Sequence, residues 1–448
     1  MGATVPWTED HVRRLFWRAG FGATPAETRK WSRRGFDATL NRVLNADPSK
    51  LPGPTPRING IPLDPLNEFG HDQLFWLDRM VRSPHFLQEK MTLFWHDHFA
   101  CKDNTALMLA QNEMMRRLAL GNFRDLLRAV TLDPAMQRFL SLAGSNKKQP
   151  NENFARELFE LFTLGNGYTE DDIRAASRAL TGFRAPRDSE TNLPTVTYTE
   201  SRHDTGVKTI FGQSGRFTWE DVLDLAINHP EHAPFLVTKL WSWFVTTPID
   251  GQTLSALVTL YTGSGLQIKP VVSAILQHGA LYRTLEAPDM VKAPPVYIAG
   301  FLRSTGRPVD RDWSILLRDM GMKLFSPPSV AGWDWGPAWL STKAMQARFQ
   351  FASEMLRTGP VAVKPGSAST KNDPTAAVVA ARQATGLPFT TRRTDKVLRQ
   401  TAAQWGEPRR PKKPRRKGPR GPLSRTQADT LQISLRHLLM SGPDAQLH

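Results

Sequence analysis

Near the start of the chain, Val12, Leu15 and Phe16 fall at helical spacing behind Thr8, Glu9 and Asp10. A hydroxyl that accepts from free N–H groups, followed by acids at the positive end of the helix dipole, is a start signal; Gly20 and Gly22 supply the stop. Thr24 then caps a new start at Pro25, whose missing N–H costs nothing at the first helical position. The same punctuation recurs, predicting helices over about 64–82, 85–99, 105–120, 122–142, 151–164 and 169–181. Beyond the midpoint it predicts more at about 218–228, 231–247, 252–263, 267–279, 290–304, 311–320, 341–357 and 425–440. Residues 359–390, rich in Ala, Thr, Lys and Pro, read as a loop with one helix.

One segment breaks the helical period. Thr195-Val-Thr-Tyr-Thr alternates β-formers, Lys208-Thr-Ile-Phe-Gly offers a partner strand, and Arg202-His-Asp-Thr-Gly between them is turn-rich. The expected fold is therefore mainly α, a large helical array with a small β-hairpin excursion near 195–212. The expected organisation is an N-terminal helical half (1–184), the hairpin excursion (185–217) and a C-terminal helical half (218–404). A disordered Arg/Lys/Pro-rich insertion (405–424) and a final docking helix (425–448) follow.

Composition narrows this picture. A chain of 448 residues with 40% apolar residues, 13 Trp and 23 Phe holds ample core material. Its one cysteine, Cys101, excludes an intramolecular disulfide and any cysteine-based zinc or iron–sulfur centre. The first ten residues lack a basic segment followed by an apolar one, and no uncharged apolar run reaches about 18 residues, so a cytoplasmic location without a membrane span is expected. Half of the +16 net charge lies in Glu407–Arg425, where nine Lys/Arg face one acid. Pro408, Pro411, Pro414, Pro419 and Pro422 interrupt that stretch, which is expected to be non-helical.

Four stretches carry candidate chemistry. In Pro150–Gly165, Phe154, Ala155, Leu158, Phe159, Leu161 and Phe162 cover one helical arc. Glu152, Asn153, Arg156, Glu157, Glu160 and Thr163 cover the other, with Glu152, Arg156 and Glu160 an i, i+4, i+8 ladder in which the arginine bridges two carboxylates. Such an arc is either a polar site, to which Asn151 would also contribute, or an ordinary solvated face. His96 and His98 in Phe94-Trp-His-Asp-His-Phe point about 200° apart on a helix, so they share no metal there, and a buried, hydrogen-bonded core imidazole is the ordinary alternative. In Arg202-His-Asp-Thr-Gly-Val-Lys, His203 and Asp204 make an acid–base pair beside Lys208, or simply turn chemistry. Trp333, Trp335 and Trp339, set among prolines and glycines, line a ligand cavity or cap the core. P-loop, dinucleotide-fingerprint, nucleophile-elbow and zinc-knuckle patterns are missing from the sequence, which removes the commonest nucleotide-dependent and serine-hydrolase readings.

Arg14-Leu-Phe-Trp-Arg-Ala-Gly-Phe-Gly-Ala-Thr-Pro, Asn151-Glu-Asn-Phe-Ala-Arg-Glu-Leu-Phe-Glu-Leu-Phe-Thr-Leu-Gly and Tyr168-Thr-Glu-Asp-Asp-Ile occur in this order. Ala179-Leu-Thr-Gly-Phe, His203-Asp-Thr-Gly-Val-Lys and Phe325-Ser-Pro-Pro-Ser-Val-Ala-Gly-Trp follow them. Together they resemble the bacterial family catalogued as domain of unknown function 1800, from about Val12 to the last helix. The resemblance implies no established activity. It implies export for many members, whereas this sequence shows no leader.

Two functional expectations follow from the residues. The first is an enzyme or ligand-binding site between helices, with His203, Asp204 and Glu157 as catalytic groups and Asn151, Glu152, Asn153, Arg156, Lys208, His98 and Trp333 as binding groups. A divalent cation would be held there by Glu152, Glu157, His203 and Asp204. The second is a binding or scaffold protein whose insertion, Arg409–Arg420, makes salt-sensitive contact with nucleic acid or another polyanion.

Overall fold

The computed structural model describes residues 6–47, 51–285, 287–386, 390–405 and 422–448. The expected insertion at Arg409–Arg420 lies outside these residues. Helices dominate, and the described strands form three two-stranded antiparallel ribbons, which makes the fold mainly α. None of the described helices is long and apolar enough to cross a membrane.

Most expected helices stand where apolar period and caps put them: His71–Arg82, Phe86–His98, Thr105–Leu118, Glu170–Ala179, Trp219–Asn228, His232–Phe244, Thr342–Arg357 and Arg425–Ser441. The stretch expected as one helix over 122–142 is broken into Phe123–Thr131 and Pro134–Phe139. Pro134 ends the first hydrogen-bond ladder, and the Asp133 carboxylate caps the second by accepting from the Met136 N–H. Helices Phe36–Leu44 and Arg392–Trp405 were not expected; the second is a charged helix with only Leu398 and Ala402 buried, which leaves little apolar period to read.

The hairpin expectation is corrected. Thr197–Tyr198 pairs with Phe183–Arg184, and Lys208–Ile210 pairs with Gln213–Gly215, so the two segments read as partners belong to different ribbons. Phe211 at φ 51 and Gly212 at φ 76 close the second ribbon directly after Ile210. A short local turn outcompetes the long closure from residue 199 to 208.

A large buried cluster draws residues from Val12 through Val361 and takes in Met440 and Ala445. A smaller one joins Pro374–Thr385, Arg392–Trp405 and Arg425–Ser441 through Val378, Leu398, Leu431 and Leu435. At the centre of the large cluster runs Phe86–His98, which is buried on nearly every face. It packs between His71–Arg82 and Thr105–Leu118. Close backbone approach fixes the N-terminal helix Glu9–Arg18 nearby: a Cβ on Gly300 would stand 2.2 Å from the Trp17 ring, so only glycine lets the Pro294–Thr305 helix sit there.

Candidate functional site

On the Phe86–His98 helix, Lys90, Phe94 and Asp97 stand at i, i+4 and i+7 and therefore share a face. That face opens on a cleft of about 550 Å³ whose other walls come from Lys239, Ser242, Trp243, Thr246, Asp289–Val291, Ala293, Trp335–Pro337 and His448. The walls are mostly apolar. Phe94 meets Trp243 edge-on at 5.3 Å, Trp243 meets Trp335 at 4.4 Å and Trp335 meets Trp339 at 4.6 Å, a continuous aromatic side.

Lys90 is 3% exposed, with its ammonium 5.0 Å from the Trp243 ring centre. Among the described residues it has neither a hydrogen-bond acceptor nor a carboxylate partner. Burial, helped by the positive charge of Arg18, lowers it to about 7. The other enclosed lysines are all held. Lys292 donates to the Ala445 carbonyl at 2.7 Å, and Lys208 to Gly206 and Phe217 carbonyls at 3.0 and 3.1 Å. Lys239 binds His98 Nδ1 at 3.2 Å and the Leu161 carbonyl at 3.3 Å.

Asp97 accepts the Trp333 N–H at 2.9 Å and the Trp335 indole N–H at 2.7 Å. Burial raises it to about 6, against the pull of those two donors and of Lys239. The loop reaches it because residue 332 is glycine: at φ 82, a Cβ there would lie 2.3 Å from Asp97 Oδ1. At the opposite end of the cleft Asp289 pairs with Arg18, whose guanidinium also donates to the Phe244 carbonyl at 2.7 Å and the His448 carbonyl at 2.9 Å.

The residues singled out from sequence fall into three groups. His98 and Trp333 flank the cleft without lining it. The His98 Nε2–H donates to the Phe162 carbonyl at 3.1 Å, which leaves Nδ1 to accept from Lys239; burial, then Lys239, keeps the ring neutral. This bond serves a helix end. Leu158–Thr163 is a π-helical continuation of Asn153–Glu157, and its last carbonyls, on Leu161, Phe162 and Thr163, are taken by Lys239, His98 and His232. His96 Nε2 accepts the Phe325 N–H at 3.1 Å and, buried, titrates only at about 3. Trp333 places its ring 5.3 Å from His96 and gives its N–H to Asp97.

The second group is the Asn-Glu-Asn helix. Asn151 Oδ1 accepts the Asn153 N–H at 2.9 Å, and the exposed Asn153 opens the helix. Arg156 bridges Glu152 at 3.4 Å and Glu170 at 2.7 Å, instead of Glu152 and Glu160. The π turn after Glu157 is wider than an α turn and rotates Glu160 out of the i+4 position. Glu157 is half-buried, and burial followed by repulsion from Glu160 raises it.

The third group is a closed turn. His203 Nδ1 donates to the Thr181 carbonyl at 3.0 Å, and the Asp204 N–H donates to Thr181 Oγ1 at 2.8 Å. Arg178 grips Asp204 through Nε at 2.7 Å and holds it below the usual carboxylate range. Lys208 closes the loop from beneath. Replacing Lys208 with Met removes the buried ammonium from the part-buried Asp204, Gly206 and Phe217 carbonyls and is expected to cost about 2–3 kcal/mol in urea unfolding. A loss below about 1 kcal/mol would show that the turn holds without it.

These groups do not converge. Glu170 and Arg178, which tie down the second and third, stand eight residues apart on Glu170–Ala179, about 12 Å along the axis. The cation set Glu152, Glu157, His203 and Asp204 is not gathered: among the described residues, no group of three or more His, Cys, Asp or Glu side chains could hold a metal ion. The donor set thus does not fit the expected divalent cation. A separate cleft of about 420 Å³ is lined by Arg42, Arg82, Arg303 and Arg307, but each guanidinium there already meets a carboxylate or a carbonyl.

Lys90 and Asp97 escaped the sequence reading. The signal was available as Lys-x3-Phe-x2-Asp on one helical face, but on a helix buried all round polar residues lose their contrast.

Fold and cleft together define a mainly helical protein with an interior lysine opening on an aromatic cavity. The chain belongs to the family described as "Protein of unknown function (DUF1800)", whose model matches residues 14–447. No curated protein and no solved structure matches the chain.

Proposed function

We propose that the protein binds a small organic molecule with an apolar body in the Lys90–Trp243–Trp335 cleft, between helices Phe86–His98 and His232–Phe244. The observation that carries this reading is the Lys90 side chain: 3% exposed, lining a cleft of about 550 Å³ and without an acceptor among the described residues. Placing an amine in such surroundings works against the fold, so its presence is best accounted for by what enters the cleft. The volume lies within the range of small-molecule sites, and the wall has their composition, largely apolar with a few converging polar groups.

On this reading the Asn151–Glu157 and His203–Lys208 segments support the fold instead of meeting the ligand. Their polar groups are spent on backbone and on Arg156 and Arg178. The π turn ties the Asn-Glu-Asn helix to Lys239 and so to the cleft wall.

Toluene serves as a neutral apolar probe. Saturable binding by ligand-observed NMR is expected, weakened about tenfold or more by Trp243→Ala, which removes one aromatic face. Absence of saturable binding, or equal affinity in the variant, removes the proposal.

A further inference from the structure

We infer that Lys90 reacts with aldehydes and ketones of apolar body, holding them as an imine on its side-chain nitrogen; this rests on the ligand-cleft reading above. Three features of the geometry point to carbonyl compounds in particular. Lys90 lines the cleft and, among the described residues, has no carboxylate or carbonyl partner to fix it as an ammonium, whereas Lys292, Lys208 and Lys239 all donate to carbonyls. It lies over the Trp243 ring, 5.0 Å from its centre, on a wall of the cleft that Phe94 and Trp335 also line. Asp97 lines the same cleft two helical turns along, as a carboxyl group able to carry a proton. Burial brings both groups toward neutrality near physiological pH, to about 7 for the amine and about 6 for the acid.

The chemistry needs no further reagent. The neutral nitrogen's lone pair forms the C–N bond while the carbonyl π pair moves to oxygen. Oxygen gains a proton and nitrogen loses one, giving the carbinolamine. Water exchanges those protons at the nitrogen and the oxygen. Protonation of the hydroxyl lets it leave as water as the nitrogen pair forms C=N, and loss of the remaining N–H proton gives the neutral imine. Nothing is oxidised or reduced, and hydrolysis reverses the sequence.

The test treats the full chain with benzaldehyde and cyanoborohydride at pH 7, followed by peptide mapping; the added hydride reduces and fixes any imine. Because a lysine titrating near 7 is about half neutral at that pH and an exposed one about one part in 10³, labelling at Lys90 is expected to run roughly tenfold or more ahead of Lys343 and Lys364. Lys90→Met is expected to lose this fast label and retain the slow ones. Labelling of Lys90 at the rate of the exposed lysines, or none, overturns the inference. Toluene separates the two claims: binding of toluene without a fast adduct overturns the carbonyl chemistry alone, whereas loss of both results overturns the cleft reading as well.

Discussion

Substituting Lys90 with Met is expected to make the protein more stable while abolishing its reactive amine. A group lowered from 10.5 to about 7 by burial destabilises the native state at every pH where the unfolded chain's lysine is protonated. At about 1.4 kcal/mol per pH unit the shift amounts to about 5 kcal/mol, an upper figure, because Met also forfeits the contact between ammonium and Trp243. A gain of about 2–3 kcal/mol in urea unfolding at pH 6 is expected, since a thioether of similar length fills the same space. The sign of the pH dependence follows. Below about 7 both native and unfolded wild-type chains are protonated and the full penalty is present. Between about 7 and 10.5 the unfolded chain binds the extra proton, wild-type stability climbs with pH, and the advantage of the variant shrinks toward zero. Arg18, which also lowers Lys90, stays charged over the measured range from pH 6 to 9, since burial lowers it only to about 10. A variant less stable than wild type at pH 6, or an advantage that does not fall by pH 9, would mean that Lys90 supports the fold and is not strained for a purpose.

How much of this was legible in the sequence differs between fold and site. Caps and apolar period located most helices because they act within one turn: Thr24 with Glu27, Thr169 with Asp172, Thr218 with Asp221 and Ser424 with Gln427 all form reciprocal capping boxes. The same local reasoning stopped at the π turn. Nothing in Leu158-Phe-Glu-Leu-Phe-Thr distinguishes a π from an α turn until His98, Lys239 and His232 arrive from elsewhere to take its carbonyls. The hairpin mispairing has a related origin, since alternation marks a strand without naming its partner. For the site, two of the chosen segments do meet: Trp333 and Trp335 close on Asp97, the residue between the two histidines that were weighed. The polar arcs at 151–160 and 203–208 looked like chemistry because carboxylates and arginines that bind each other have the same composition as those that bind a ligand. Only partner geometry separates the two cases. By that measure Asp204 is fully engaged, and Lys90, an ordinary lysine by its letter, is not.

The neighbour of Lys90 gives the opposite expectation. Glu89 lies about 100° around the same helix and is fully buried, yet each oxygen is used. Oε2 accepts the Trp76 indole N–H at 3.1 Å, and Oε1 accepts from Arg79 Nε at 3.0 Å and Arg116 Nε at 2.8 Å. Arg116, itself 3% exposed, would lose its enclosed counter-charge on Glu89→Ala and keep only Glu113 and Asn112. A loss of about 3–5 kcal/mol is expected, because Arg79 loses its Glu89 carboxylate, Arg116 loses its enclosed one, and a cavity is left beside them. Glu89→Gln keeps the volume but turns an amide N–H toward a guanidinium or the indole, and is expected to cost about 2–3 kcal/mol. Thermal and urea unfolding of both variants beside Lys90→Met give the decisive comparison: consecutive residues on one helix, both enclosed, whose removal moves stability in opposite directions. If Glu89→Ala costs less than about 1 kcal/mol, the network does not anchor the Phe86–His98 helix, and the orientation of Lys90 and Asp97 toward the cleft has to be held by the aromatic wall instead.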